Sequence, residues 1–121
     1  MSRLFTVDEA RALMPRVLEA TDELIALRAD LHQLAHDLRT GEESPLGGQP
    51  EAKGFEARIS EILENLNALE VEVKGLAPVL LDFPAEFDGQ SVRLCWLEGE
   101  RELGWYHNTE LGFAGRRKLD R

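Results

Sequence analysis

Nine apolar residues, Ala10, Leu13, Val17, Ala20, Leu24, Leu27, Leu31, Leu34 and Leu38, follow one another at alternating steps of three and four without a miss. That spacing is the seam of a helix lying along another helix, so a chain that carries it must supply a partner helix or borrow one from a second copy. A partner is close at hand, because Phe55, Ile59, Ile62, Leu63, Leu66 and Leu69 fall on the same grid. Between the two seams "TGEESPLGGQPEAKG", Thr40 to Gly54, breaks the pattern with Gly, Pro and acidic residues and reads as an exposed loop where the chain reverses. The expectation is a long antiparallel helical hairpin, coiled-coil-like, over 6–70, with its exposed loop at 40–54.

The start of the first helix is written in "FTVDEA": Thr6 can cap the amide of Glu9, Glu9 can reach back to Thr6, and Phe5 can staple onto Ala10. Pro15 is the one irregularity, at an outer heptad position where it either bends the helix or moves its start. After Leu69 the period changes. "VEVK" alternates, "GLAP" is a turn, "VLLDFP" is a short apolar run and "FDGQ" is another turn. A small antiparallel β-sheet is therefore expected over 71–111, followed by a basic C-terminal tail, 112–121. Together these make an α+β fold in a single domain, as 121 residues allow.

"LCWLEGERELGWYH", Leu94 to His107, reads as a hairpin turning through "EGER". Pairing Leu97 with Glu102 brings Leu94 opposite Trp105 and Val92 opposite His107. Val92, Leu94, Trp96, Leu103, Trp105 and His107 then share one face, and Cys95 lies on the other. On this register Cys95 and His107 point apart and cannot share a metal unless a bulge intervenes. The tryptophans read as core.

His107 ends that apolar face, and Asp82 interrupts an otherwise apolar strand, where a buried carboxylate needs a partner. The plain reading of Asp82 and His107 is a satisfied structural hydrogen bond or a turn contact; the functional one is a candidate pair for a divalent transition metal or a small ligand, with Glu100 as a further candidate. "HQLAH" gives His32 and His36 the i, i+4 spacing that can chelate a metal, but Gln33 replaces the glutamate of a metalloprotease motif and both histidines fall outside the seam. "ELGFAGRRK" combines Gly112, Gly115 and Arg116 in a composition that could cradle an anion, although a tail folded back on acidic helices is the simpler use. No dinucleotide fingerprint, paired-cysteine zinc motif or serine triad is present, and no catalytic residue is assigned.

The formal charge of -9 opposes nucleic acid and anionic lipid as partners. It is uneven, since the last ten residues carry +3. A single cysteine suits a reducing cytoplasm, and neither a signal-peptide core nor a run of about 20 apolar residues is evident.

"FTVDEA", two charged helices, "VEVK", "LLDFP", "LCWLEGE", "WYH" and "GFAGR" resemble the small bacterial family of hypothetical proteins called domain of unknown function 2203. The resemblance covers nearly the whole chain and is most specific over Val71 to Arg116. It implies the same helices-plus-sheet plan and no established activity. The family's recurring residues match Asp82, Phe83, Pro84, Cys95, Trp96, Gly99, Glu100, His107, Phe113, Gly115 and Arg116. Two positions depart from it: Glu70 stands where the family usually has a glycine ending the second helix, and Gly75 where it has an aspartate. Two functions remain in view. The first is a non-enzymatic interaction or assembly module, homodimeric through its helices and able to take a protein partner. The alternative is a small metal- or ligand-binding protein, possibly an enzyme, with its site around His107 and Asp82.

Overall fold

A computed structural model describes residues 3–120. Two helices, α1 (Val7–Thr40) and α2 (Gln49–Ala68), precede five strands, β1 (Glu72–Leu76), β2 (Val79–Phe87), β3 (Gln90–Leu97), β4 (Trp105–Asn108) and β5 (Arg117–Lys118). The strands form one antiparallel sheet in chain order, which makes this an α+β fold. Two compact units can be distinguished: one joins the residues up to Leu18 to those from Leu66 onward, and the other is Glu19–Asn65. No helix among the described residues is long and apolar enough to cross a membrane.

The start of α1 follows the capping signal. The Thr6 N–H donates to Glu9 Oε1 at 2.9 Å and the Glu9 N–H donates to Thr6 Oγ1 at 3.0 Å. These bonds, the backbone one first, hold the Glu9 carboxyl below its ordinary range. Pro15 neither starts nor stops the helix; it lies exposed inside it. Within Glu19–Asn65, Leu24, Leu34 and Ile62 are buried, Leu27 and Leu31 are partly covered, and Leu38 is 36% exposed. Arg58 of α2 grips Glu23 of α1 with two parallel bonds, Nε to Oε2 at 2.7 Å and Nη2 to Oε1 at 2.6 Å. This fork-to-fork geometry is the strong form of an exposed ion pair.

The loop between the helices is shorter than the composition of 40–54 suggests, because α2 already begins at Gln49. Proline costs nothing in a first helical turn, whose amides have no intrahelical acceptor, and Pro50 stands there. Glu51 reaches back to accept the Gly48 N–H at 2.7 Å, and the Ala52 N–H closes the first helical bond on Gly48 O at 3.1 Å.

Helix α2 stops at Ala68 through a Schellman turn: the Val71 N–H donates to Leu66 O at 3.1 Å and the Glu70 N–H to Asn67 O at 2.9 Å. The turn requires a left-handed residue, and Glu70 supplies it at φ 65°. The position thus has a backbone reason to be glycine, and glutamate occupies it under strain. Gly75 has the opposite logic, since a Cβ there would come within 3.2 Å of Pro78 O.

One face of the sheet builds the core. Leu81, Phe83 and Ala85 of β2 and Val92, Leu94 and Trp96 of β3 are all buried on it. Phe5 closes over this face, its ring edge-on to Phe83 at 5.4 Å and its N–H bonded to Pro84 O at 2.7 Å. The basic tail is not free. Arg117 and Lys118 pair with Tyr106 and Trp105 as a fifth strand, and the Leu119 N–H bonds Gly104 O at 2.8 Å. The apolar Leu119, 7% exposed, explains why this segment joins the sheet rather than lying on acidic helices. Arg121 lies outside the described residues.

Replacing Glu70 by glycine should raise stability by about 1 kcal/mol, by relieving the left-handed strain. The gain is partly offset by loss of the Arg3 N–H bond to Glu70 Oε1 at 2.9 Å. Urea denaturation of the two proteins measures the difference, and a less stable Glu70→Gly variant would show that the side-chain bond outweighs the strain.

Candidate metal centre

The arrangement of the site depends on how β3 and β4 pair. Val92 lies opposite Asn108, Arg93 opposite His107, Leu94 opposite Tyr106 and Cys95 opposite Trp105. This is one residue away from the pairing that a four-residue turn through "EGER" implies, and it corrects the face assignment. The connection runs over residues 98–104. Glu100 organises it: its N–H donates to Leu97 O at 3.0 Å, its Oε1 accepts the Leu97 N–H at 2.7 Å, and its carbonyl accepts Trp96 Nε1–H at 3.0 Å. Leu103, 1% exposed, buries itself from the loop instead of pairing with Trp96. Because side chains alternate along a strand, this slip by one turns every β4 side chain to the opposite face. His107 thereby joins the face of Cys95 rather than leaving it.

Strand β2 brings the third member. Phe87 pairs with Gln90 across the Asp88–Gly89 turn, and counting inward from there places Asp82 opposite Cys95. Asp82, Cys95 and His107 are all buried, and one ligand atom from each lies within 4.8 Å of the others. His107 Nε2 is 3.2 Å from Asp82 Oδ2 and 3.3 Å from Oδ1, while Nδ1 is 2.9 Å from Asn108 O. A carbonyl oxygen only accepts, so Nδ1 carries the proton of that bond. In neutral imidazole Nε2 then presents a lone pair to a carboxylate. With a second imidazole proton the contact is satisfied by a hydrogen bond between the two side chains, and a metal ion placed between them would satisfy both as well.

The thiol completes the environment. Burial above all, and then the Asp82 charge, push the Cys95 thiol up from its ordinary value near 9 to about 11, while the Arg116 guanidinium opposes them. Arg116 Nη2 bonds Cys95 O at 3.2 Å and Glu100 Oε1 at 2.6 Å, and its guanidinium sits 4.8 Å from the Trp105 ring centre and 4.9 Å from that of Phe113. Outside the cluster, Asp82 and His107 open onto a cavity of about 250 Å³ bordered by Lys74, Leu80, Arg93 and Phe113. A bulge in β1, between Val73 and Gly75, aims Lys74 at this cavity. Arg93 Nε is held by Glu72 Oε1 at 2.8 Å and its Nη1 donates to Thr109 Oγ1 at 3.0 Å.

Of the residues singled out from sequence, Asp82 and His107 come together. Glu100 and Arg116 form a separate ion pair that braces the 98–104 connection. His32 and His36 are exposed on α1, and the metal-capable group found among the described residues does not include them. Cys95 was set apart by the slipped register, although the "FDGQ" turn already carried the count that puts it opposite Asp82. Lys74 and Arg93 gave no comparable signal, because a bulge and a side-chain fork bring them in.

The model of the family described as "Uncharacterized conserved protein (DUF2203)" matches residues 3–119, and the chain belongs to that family. No curated protein and no solved structure matches it.

A thiol that is fully buried and held protonated should resist alkylation. With iodoacetamide at about pH 8, mass spectrometry should find Cys95 unmodified in the folded, metal-free protein and modified once urea unfolds it. Rapid labelling without denaturant would contradict the burial described.

Proposed function

We propose that this protein binds a single divalent transition metal through Cys95 Sγ, His107 Nε2 and Asp82, with the fourth coordination position open. The observation that carries this reading is the convergence of three buried ligand atoms within 4.8 Å, with the far imidazole nitrogen fixed on a backbone carbonyl. A backbone acceptor on the second nitrogen is the usual way a protein orients a histidine ligand. The spacing suits the chemistry as well: a tetrahedral ion with bonds of about 2.0–2.1 Å holds nitrogen and oxygen ligands roughly 3.3 Å apart, against 3.2 and 3.3 Å between His107 Nε2 and the Asp82 oxygens. A thiolate beside imidazole and carboxylate favours zinc, or cobalt as its spectroscopic substitute, over magnesium or calcium. Metal binding would displace the Cys95 proton, as thiolate coordination requires.

Three protein ligands with one vacant position are also the pattern that polarises a bound water or carbonyl. Purified protein incubated with zinc and desalted should retain about one equivalent per chain by elemental analysis. Cys95→Ser, His107→Ala and Asp82→Asn should each lose retention while keeping the wild-type far-ultraviolet dichroism. A wild-type protein that passes through the column without zinc would end this reading.

The helical residues favour a second, compatible role. The seam from Leu24 to Leu38 fits an antiparallel, coiled-coil-like hairpin, and Leu38, exposed at 36%, together with the half-covered Leu27 and Leu31 offers apolar surface to a second copy. A homodimer formed through these helices, in a reducing cytoplasm where the lone cysteine stays unpaired, is the arrangement proposed. The excess of acidic residues argues for a protein rather than a nucleic-acid partner. Light scattering across a concentration series should give twice the chain mass, and Leu31→Glu should return the monomer. A monomer at all concentrations would remove the assembly role without touching the metal site.

A further inference from the structure

Two of the three proposed ligands, Asp82 and His107, face a cavity whose walls define what can bind there. Asp82 and His107 line its floor, so a metal held between them and Cys95 is reached from this side. A dication is neutralised by one thiolate and one carboxylate, and Lys74 and Arg93 set against Glu72 leave the mouth of the cavity with one net positive charge. The fork of Arg93 is already taken up by Glu72 and Thr109. Lys74 differs. Its ammonium meets Glu72 at 3.4 Å, and a three-proton donor on a half-exposed side chain can turn toward an incoming acceptor.

The rest of the lining is Leu80, Phe113, Gly112 and Thr109, whose hydroxyl is already engaged by Arg93. Leu80 is half-buried on the face shared with Asp82, and Phe113 stands 45% exposed at the rim. An exposed aromatic edge beside a cationic, metal-ended floor suits a molecule with a charged head and an apolar body. The volume of about 250 Å³ is small. At roughly 30 Å³ for each water-sized group, it accommodates something on the order of eight non-hydrogen atoms.

Resting on the metal-binding reading, we infer that this cavity takes a small monocarboxylate with a short apolar or aromatic group, its carboxylate on the open metal position and beside Lys74, its apolar part against Leu80 and Phe113. The bulge that aims Lys74 inward and the placement of Phe113 by the 109–116 segment serve this site.

The test uses the full chain loaded with cobalt, whose visible absorption reports its coordination, titrated with benzoate, acetate, butylamine and inorganic phosphate. Benzoate should change the cobalt spectrum saturably, and butylamine should not. Lys74→Ala should weaken benzoate binding about fivefold, the worth of one partly exposed charge contact, while cobalt stoichiometry stays at the wild-type value. Phe113→Ala should weaken benzoate but not acetate. Stoichiometric cobalt with a spectrum indifferent to benzoate would overturn the cavity assignment and leave the metal site standing. Phosphate binding as tight as benzoate would also overturn it, because the apolar wall would then contribute nothing. Failure to bind cobalt at all would overturn the metal reading and this inference with it.

Discussion

The constraint on which the site depends is the register between β3 and β4. Whether His107 faces Cys95 or faces away from it turns on a single residue of slip, and the 98–104 connection sets that slip. Glu100 is the organiser, since its carboxylate holds the Leu97 amide, its carbonyl holds the Trp96 indole, and Arg116 clamps the carboxylate from the other side. Pinning the loop pins the strand. A residue that touches no ligand atom of the cluster therefore decides whether the cluster exists.

The sheet divides its labour between its faces. One face carries Phe83, Leu94 and Trp96 into the core, and the other carries Asp82, Cys95 and His107, equally buried but polar. Burying a carboxylate, an imidazole and a thiol together costs free energy unless they satisfy one another, and a set so arranged survives only with compensation. Part of that compensation is visible in the backbone bond to His107 Nδ1 and in the 109–116 segment, whose Phe113 and Arg116 cover the face.

Much of this was legible in the sequence. Thr6 and Glu9 announced the first helix because a capping box is local: two side chains and two amides within one turn decide it. The change from helical to alternating period located the sheet for the same reason, and Asp82 stood out as a carboxylate inside an apolar strand. What stayed hidden was set by longer reach. The β3–β4 slip depends on a loop whose geometry Glu100 fixes through bonds to Trp96, Leu97 and Arg116, and no count along the strands contains it. The early start of α2 depends on Pro50 acting as a first-turn residue rather than a loop residue, a choice made by Gly48 and Glu51 together. The fifth strand depends on one buried leucine, Leu119, in a tail that composition describes only as basic.

Arg116 ties these threads together. Among the described residues its Nε is a buried donor with no hydrogen-bond partner, while the neighbouring nitrogen serves Cys95 O and Glu100. An unmet buried N–H costs about 1–3 kcal/mol. The Arg116 side chain lies against the Cys95 thiol and already favours its ionised form. A thiolate at Cys95 is a far better acceptor than the thiol, so the charge that a metal would draw out of Cys95 is one that Arg116 is placed to stabilise. The residue that braces the register thus also lies beside the thiol of the candidate metal site, so loop, register and cluster share one guanidinium.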